Sequence, residues 1–385
     1  MTVNSPHVAF LVPSMQGGGA ERVIRNLVVN FHARGFDVDL LLVHEEGPYL
    51  EGVPDGVRVV PLGGRRILTS LPFLIGYLRR SNPDVLLATI TETNIIAVWA
   101  KTLSRVPTRL VLRVANTPSK SLSRWDGIEK VIVSFSIRFW YPRADHLVTV
   151  STGVKEDLIE TFGFDGRTIT PIPNPKDIST IQEMATRPLA VECIRTTDPI
   201  VLAAGRLVEQ KDYPTLIRAF ARLRKTRSAR LVILGDGPQR TYLESLVRTH
   251  ALEEDVRLPG FVDNPFAYFA TADVFALSSR WEGSPNVLIE ALACGTPIVA
   301  TNCPSGPAEI LDNGTYGRLV PVGDVNALCE EITTAIDSPS RSDQLVDRAR
   351  EYSIDRILPT YESVLFPKQE TEVSNMFRPN EHQSH

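Results

Sequence analysis

Cysteine is scarce in this 385-residue chain: Cys193, Cys294, Cys303 and Cys329 are widely spaced and form no Cys-x-x-Cys pair. Neither a zinc site nor a disulfide framework follows, which favours a reducing compartment. No stretch approaches the ~18 to 20 uninterrupted apolar residues of a membrane span. The opening MTVNSPHVAFLVPS lacks a basic n-region and runs apolar for only a few residues, so it reads as a first strand rather than a signal peptide, and a cytoplasmic protein is expected. No short-period repeat occurs, and the 43% hydrophobic and 22% charged composition excludes collagen-like and disordered classes. The chain is expected to contain no Asp-x-Asp metal motif, so no bound metal is expected and activity should survive excess chelator.

Charge is present in quantity and unevenly placed. The net of −4 divides into +3 over residues 1–195 (22 basic, 19 acidic) and −7 over the remainder (19 basic, 26 acidic). Between Arg58 and Arg143 stand 14 basic and 4 acidic residues, a net of +10. The length, at roughly 150 residues per domain, suits two cores.

Short apolar runs alternate with longer amphipathic segments, the pattern of βαβ units with a parallel sheet. The first half predicts strands at His7–Val12, Val38–Val43, Val57–Pro61, Asp84–Ala88, Arg109–Val114, His146–Val150 and Thr168–Ile172. Helices are expected at Ala20–Ala33, Ser70–Arg80, Asn94–Ser104, Ile128–Tyr141 and Thr152–Phe162. A polar stretch, Pro175–Asp198, interrupts the rhythm. A second series then predicts strands at Ile200–Ala204, Arg230–Leu234, Val256–Leu258, Val274–Leu277 and Pro297–Ala300, with helices at Tyr213–Lys225, Gln239–His250, Pro285–Ala293 and Val325–Ile336. The fold expected is α/β, two Rossmann-like doubly wound domains over residues 1–190 and 191–366, with the last helix able to cross back to the first domain. The polar segment 367–385 is expected to be disordered. Ligands would bind in the cleft between the domains, beyond the carboxyl ends of the strands.

Four segments at those strand ends carry the candidate chemistry. Gly17-Gly18-Gly19 precedes a helix with apolar residues at Val23, Ile24, Leu27, Val28 and Phe31, which lets a ligand approach backbone N–H groups; a tight structural turn is the alternative. The spacing is not Gly-x-Gly-x-x-Gly, and Val43-His44 stands where a dinucleotide fold carries its acidic residue. Arg206 and Lys211 follow the strand that ends at Gly205, either as a diphosphate clamp or as two surface cations. Gly235-Asp236-Gly237-Pro238 is a second strand-to-helix turn. In Glu282-Gly283-Ser284-Pro285-Asn286, Ser284 reads as the cap and Pro285 as the first helical residue. Glu282 then sits in the loop and Glu290 inside the helix, off its apolar stripe. A loop carboxylate can bind sugar hydroxyls and a helical one a ribose diol, although both could instead be solvated.

Taken in this order, the segments resemble glycosyltransferase family 4, retaining enzymes of the GT-B fold, over nearly the whole chain to about Phe366. The match rests on Glu282 and Glu290, separated by seven residues, on Gly205-Arg206-Leu207 with Lys211, and on the Gly235–Pro238 turn. The resemblance implies that Arg206 and Lys211 bind the donor diphosphate and stabilise the departing charge. It implies that Glu290 binds the ribose, that Glu282 contacts the transferred sugar, and that Gly283, Ser284, Pro285 and Asn286 line the sugar–phosphate site. Gly235 supports the donor turn, Phe261 and Val262 match the base-receiving loop, and Gly17, Gly18 and Gly19 match the loop from the opposite domain. Asn116 stands where relatives often carry a histidine. No carboxylate nucleophile is implied; the reaction expected is a same-face displacement in which a donor phosphate oxygen takes the acceptor proton.

Pro285-Asn286-Val287-Leu288 and Cys303–Ile310 further resemble bacterial enzymes that extend lipid-linked glycans, some of which transfer N-acetylgalactosamine from a UDP donor. The partners implied are a nucleotide-sugar donor, UDP-sugar favoured, and a glycan or polyprenyl-diphosphate-linked acceptor; no cofactor, metal or nucleic acid is expected. Arg124-Trp125 and Arg138–Arg143 mix cationic and aromatic residues as an anionic membrane surface requires, or form a solvated basic face. Rival readings are a nucleotide-sugar epimerase or phosphorylase of similar shape and a noncatalytic nucleotide-sugar-binding protein.

Overall fold

The computed structural model describes residues 5–16, 18–64, 66–122, 125–188, 198–339 and 342–367. Gly17, Arg124, Cys193 and the tail from residue 368 therefore lie outside the described residues. The first series runs β1 (His7–Val12), α1 (Gly19–Ala33), β2 (Asp37–Leu42), β3 (Arg58–Pro61), α2 (Leu71–Ser81), β4 (Val85–Thr89), α3 (Thr91–Ser104), β5 (Arg109–Val114), α4 (Pro118–Ser121), α5 (Gly127–Trp140), β6 (His146–Thr149), α6 (Thr152–Phe162), β7 (Ile169–Pro171) and α7 (Ile178–Ala185). The second runs β8 (Ile200–Ala204), α8 (Tyr213–Leu223), β9 (Arg230–Leu234), α9 (Arg240–Thr249), β10 (Val256–Gly260), α10 (Phe266–Thr271), β11 (Val274–Leu277), α11 (Asn286–Ala293), β12 (Ile298–Thr301), α12 (Pro307–Ile310), β13 (Arg318–Val320), α13 (Val325–Asp337), α14 (Ser342–Arg350) and α15 (Ile354–Leu365).

The strands form two parallel sheets, seven-stranded in the order β3-β2-β1-β4-β5-β6-β7 and six-stranded in the order β10-β9-β8-β11-β12-β13. Strand order reverses between β1 and β4 and between β8 and β11, which are the crevices where a doubly wound sheet takes its ligand. Both sheets are covered on both faces, so their central strands are largely apolar; β4 and β8 are buried at every position.

Sequence periodicity dictates the helices. In α1 the expected residues Val23, Ile24, Leu27, Val28 and Phe31 are buried. Ser151 caps α6 by accepting from Val154 N at 3.3 Å, and Gly163 ends it in the left-handed region. The polar stretch after Pro175 contains α7, whose Ile178 and Ile181 are buried in the second core. The three-residue β13 has too short an apolar run to stand out in the sequence. α15 packs Ile357, Leu358, Tyr361, Val364 and Leu365 into the same core as α1 and β1, so the chain's last helix returns to the first sheet. The two crossings are bonded together: Lys176 N donates to Tyr352 O at 2.8 Å and Ile354 N to Lys176 O at 3.1 Å.

Candidate active site

On the second domain, β8 and β9 run directly into Gly205 and Gly235, and β10 ends at Gly260, with φ of 147°, 119° and 88°. Only glycine adopts such angles without strain. A Cβ on Gly235 would collide with Gly205 O, so the two turns nest against each other at the mouth of the sheet. Lys211 leaves this mouth half-buried and meets Glu282, whereas Arg206 is exposed at its edge. Phe261 is likewise exposed, and Val262 packs partly against the second core.

Glu282 is not solvated: it is 6% exposed. Its Oε1 accepts from Lys211 Nζ and from Ser279 Oγ, each at 2.6 Å, and its N donates to Pro304 O at 2.9 Å. A buried carboxylate needs such partners. The loop is clamped from the first domain as well. Thr117 Oγ1 donates to Glu282 O at 2.5 Å and Ser151 Oγ to Gly283 O at 2.7 Å. The carboxylate is thereby fixed at the seam between the sheets.

The helix that follows starts one residue later than its sequence signal: Pro285, in extended conformation, is the cap of α11 and Asn286 its first residue, because the chain stays extended through Pro285. Ser284 contributes backbone instead, its carbonyl lying 3.4 Å from Asn174 Nδ2. Asn174 Nδ2 also donates to Asn286 Oδ1 at 3.0 Å, and Asn286 Nδ2 reaches Gly19 O at 3.3 Å. Thus Gly19, of the first glycine loop, lies directly against the start of α11. Gly18 is the residue preceding α1.

Glu290 lies off the apolar stripe of α11, yet it is only 3% exposed. The first domain covers it: its Oε1 pairs with Arg22 Nη1 at 2.8 Å and with Lys176 Nζ at 2.6 Å. Burial alone would raise the carboxyl pKa, but the charges of Lys176 and Arg22 outweigh it and hold the group below the usual range. The sequence reading missed both cations. Arg22 has a signal, standing three residues beyond Gly19; Lys176, in a polar stretch, has none.

Asn116 lies at the seam, where its Cα would be 2.8 Å from a Cβ on Gly283. Its Oδ1 accepts from Thr117 N at 3.0 Å, which leaves its amide N–H groups outside that bond. Below it, fully buried Arg113 donates to Tyr361 OH, Thr89 Oγ1 and Asn174 Oδ1, tying α15 to the strand ends beneath the seam. An Asp-x-Asp spacing does occur, in Asp37-Val38-Asp39, correcting the expectation of none. It lies at the opposite end of the sheet, at the start of β2, where Asp39 is held by His7, Arg58 and Tyr77. It adds nothing to the cleft.

The chain matches two family models, described as "Glycosyl transferase 4-like domain" over residues 18–175 and "Glycosyl transferases group 1" over residues 190–352. It is 32% identical over 340 residues to the N-acetylgalactosamine-N,N'-diacetylbacillosaminyl-diphospho-undecaprenol 4-alpha-N-acetylgalactosaminyltransferase of Campylobacter jejuni, covering 86% of this chain and 90% of that one. To the amylovoran biosynthesis glycosyltransferase AmsD of Erwinia amylovora it is 26% identical over 309 residues, 78% of this chain and 81% of that one. In fold it resembles Anabaena HepE, solved in complex with UDP-glucose, with a TM-score of 0.75 at 19% identity over 93% of this chain and 97% of that one. With two facing Rossmann-like sheets and both glutamates at their seam, the chain belongs to the family-4 type of glycosyltransferases, with the GT-B fold.

Proposed function

We propose that this glycosyltransferase takes a hexose or N-acetylhexosamine from a UDP-sugar and transfers it, with retention, to a lipid-linked glycan acceptor in bacterial surface polysaccharide or glycoconjugate synthesis. The observation that carries this reading is the seam itself, where Glu282, Lys211 and Glu290 converge from the second domain beneath Gly19, Asn116 and Arg22 of the first. The Campylobacter relative, named for a diphospho-undecaprenol substrate and an α-linked product, favours the lipid-linked acceptor and the α-linkage.

In this reading Arg206 and Lys211 receive the donor diphosphate, Glu290 the ribose, and the Phe261–Val262 segment the base. Glu282 holds the transferred sugar's hydroxyls. With Lys211 and Ser279 both donating to one of its oxygens, it is held in place rather than freed for attack. The acceptor oxygen bonds to the anomeric carbon on the face from which the diphosphate departs. The acceptor proton passes to a phosphate oxygen, and the nucleoside diphosphate leaves with the electron pair of the broken bond. Lys211 and Arg206 stabilise the departing charge, so no metal ion is required. Incubating the full chain with UDP-sugars and a polyprenyl-diphosphate glycan tests the reading; sugar released or epimerised with no acceptor dependence would favour the epimerase or phosphorylase alternative.

The same reading places the first domain against the cytoplasmic face of an anionic membrane. No helix among the described residues is long and apolar enough to cross one. α5 instead buries Ile137 on its inner side and holds Ile128, Val131, Ile132, Phe135 and Phe139 in solvent, Ile128 at 76% exposure. Phe135 and Phe139 stack at 5.5 Å, and the Arg143 guanidinium lies 3.7 Å from the Phe139 ring centroid. Exposed Lys130 and Arg138 supply cations beside the apolar stripe. An apolar face flanked by cations is the pattern of a helix lying in the plane of a lipid interface.

A further inference from the structure

Arg22 and Lys176 have no role in the reading above, yet their placement is unusual for surface cations. Lys176 is 2% exposed and sits in the first of the two interdomain crossings, its backbone paired with the second at Ser353. Its ammonium is drawn out of water, which lowers its pKa, and the Glu290 carboxylate opposes that shift. Arg22 arrives from the opposite side, on the first turns of α1, its Nε donating to Tyr49 OH at 2.9 Å. Both cations engage Oε1 of Glu290, leaving Oε2 outside either ion pair. One carboxylate on the second domain is thus fixed by the first domain and by the strap between the domains.

Burying charge is costly, so a buried ion pair is weak evidence of a stabilising role. This group is also unbalanced in sign. Arg22, Lys176 and Lys211 stand against two carboxylates, Glu282 and Glu290, so these ion pairs carry one positive charge in excess, the sign that a diphosphate neutralises. We propose that Arg22 and Lys176 are positioning residues of the nucleotide site: they aim Glu290 at the donor ribose, and do so only while the two domains are together. This rests on the reading that Glu290 receives a nucleotide-sugar ribose. Its consequence is that a conformation with the domains apart leaves Glu290 without these two partners, so that losing either cation weakens donor binding through Glu290.

The test is a double-mutant cycle on the full chain, with UDP as the probe and isothermal titration as the readout. Lys176→Met should raise the Kd for UDP on the order of tenfold or more, and raise KM for the UDP-sugar by a similar factor with a smaller change in kcat. Lys176→Arg, which keeps the charge, should recover most of the loss. In Lys176→Met/Glu290→Gln the Kd should be no weaker than in Glu290→Gln alone, because the lysine acts through the carboxylate. Losses that multiply in the double variant, or a Lys176→Met protein that binds UDP as the wild type does, would overturn the proposal. Should Lys176→Met fail to fold, Arg22→Gln at the half-buried end of the triad carries the same cycle. A wild-type chain that binds no nucleoside diphosphate fails the donor reading itself, a different result from normal UDP binding with additive losses.

Discussion

Gly283 is the position where one methyl group tests whether the seam is the working arrangement. A Cβ there would stand 2.6 Å from Ala115 O and 2.8 Å from Asn116 Cα. Both obstacles are first-domain backbone, which no rotamer change can move, and ordinary contact begins at about 3.5 Å. Gly283→Ala must therefore separate the domains locally by roughly 0.9 Å. The Thr117 bond to Glu282 O and the Ser151 bond to Gly283 O lie across that gap. A displacement of about 1 Å at reacting groups costs on the order of 100-fold in rate, so kcat/KM for sugar transfer should fall by about that factor. The melting temperature should change little, because the two cores are untouched. Gly153→Ala is the milder control: its Cβ would meet the Ser305 hydroxyl at 2.8 Å, which can turn away, and Ser305 Cβ and Cα at 3.3 and 3.4 Å, which need give only slightly, so activity should stay within a fewfold of wild type. Wild-type transfer by Gly283→Ala would show that the closed seam is not the catalytic arrangement.

Other outcomes follow from single features. Leu358→Ala, at a fully buried position of α15, should lower stability by about 2–5 kcal/mol in urea unfolding, because the returning helix closes the first core. The hydrogen bond to Asp39 raises the His7 pKa, so this contribution is complete below the unfolded value near pH 6.5 and is lost as pH rises through the folded one. Asp39 works in the opposite direction: burial would raise its pKa, but His7, Arg58 and Tyr77 hold it far below the carboxylate range, so its contribution is complete above the unfolded value of about 4 and is lost progressively as pH falls from there through the folded one. Melting temperature against pH for wild type and His7→Phe should converge on the alkaline side. Phe135→Glu on α5 should abolish co-sedimentation with phosphatidylglycerol vesicles at low salt while leaving UDP binding intact; sedimentation equal to wild type would reject α5 as the membrane face. Transfer activity should persist in excess chelator, and loss with rescue by a divalent ion would contradict a cation-only leaving-group site.

Those predictions draw unequally on sequence and structure. The two parallel sheets were legible because their strands are apolar at nearly every position and their helices repeat every three to four residues, as at Val23, Ile24, Leu27, Val28 and Phe31. Glu282, Glu290, Arg206 and Lys211 were legible as a spaced set, but their environments were not. That Glu290 is buried follows from a helix surface facing another domain, which no local periodicity records. Lys176 illustrates the limit: its polar neighbours read as linker, while its burial comes from two crossings that meet 177 residues apart in sequence. The helix boundary at Pro285 differed by one residue, since proline can serve either as the cap or as the first helical residue. The pair Asp37 and Asp39 shows the converse, a spacing associated with metals whose second member is fully occupied by His7, Arg58 and Tyr77.

The central claim is sugar transfer from a nucleotide diphosphate at the seam, and the most direct measurement is the anomeric configuration of the product. Wild-type chain, a UDP-sugar panel and a polyprenyl-diphosphate glycan should yield one new glycosidic bond, α by proton coupling in NMR, with UDP released in equal amount. Glu282→Gln should make that product much more slowly and trap no glycosyl adduct in intact-mass spectra. A β-linked product, a covalent adduct on the enzyme, or no acceptor-dependent transfer from any nucleotide-sugar would contradict the account.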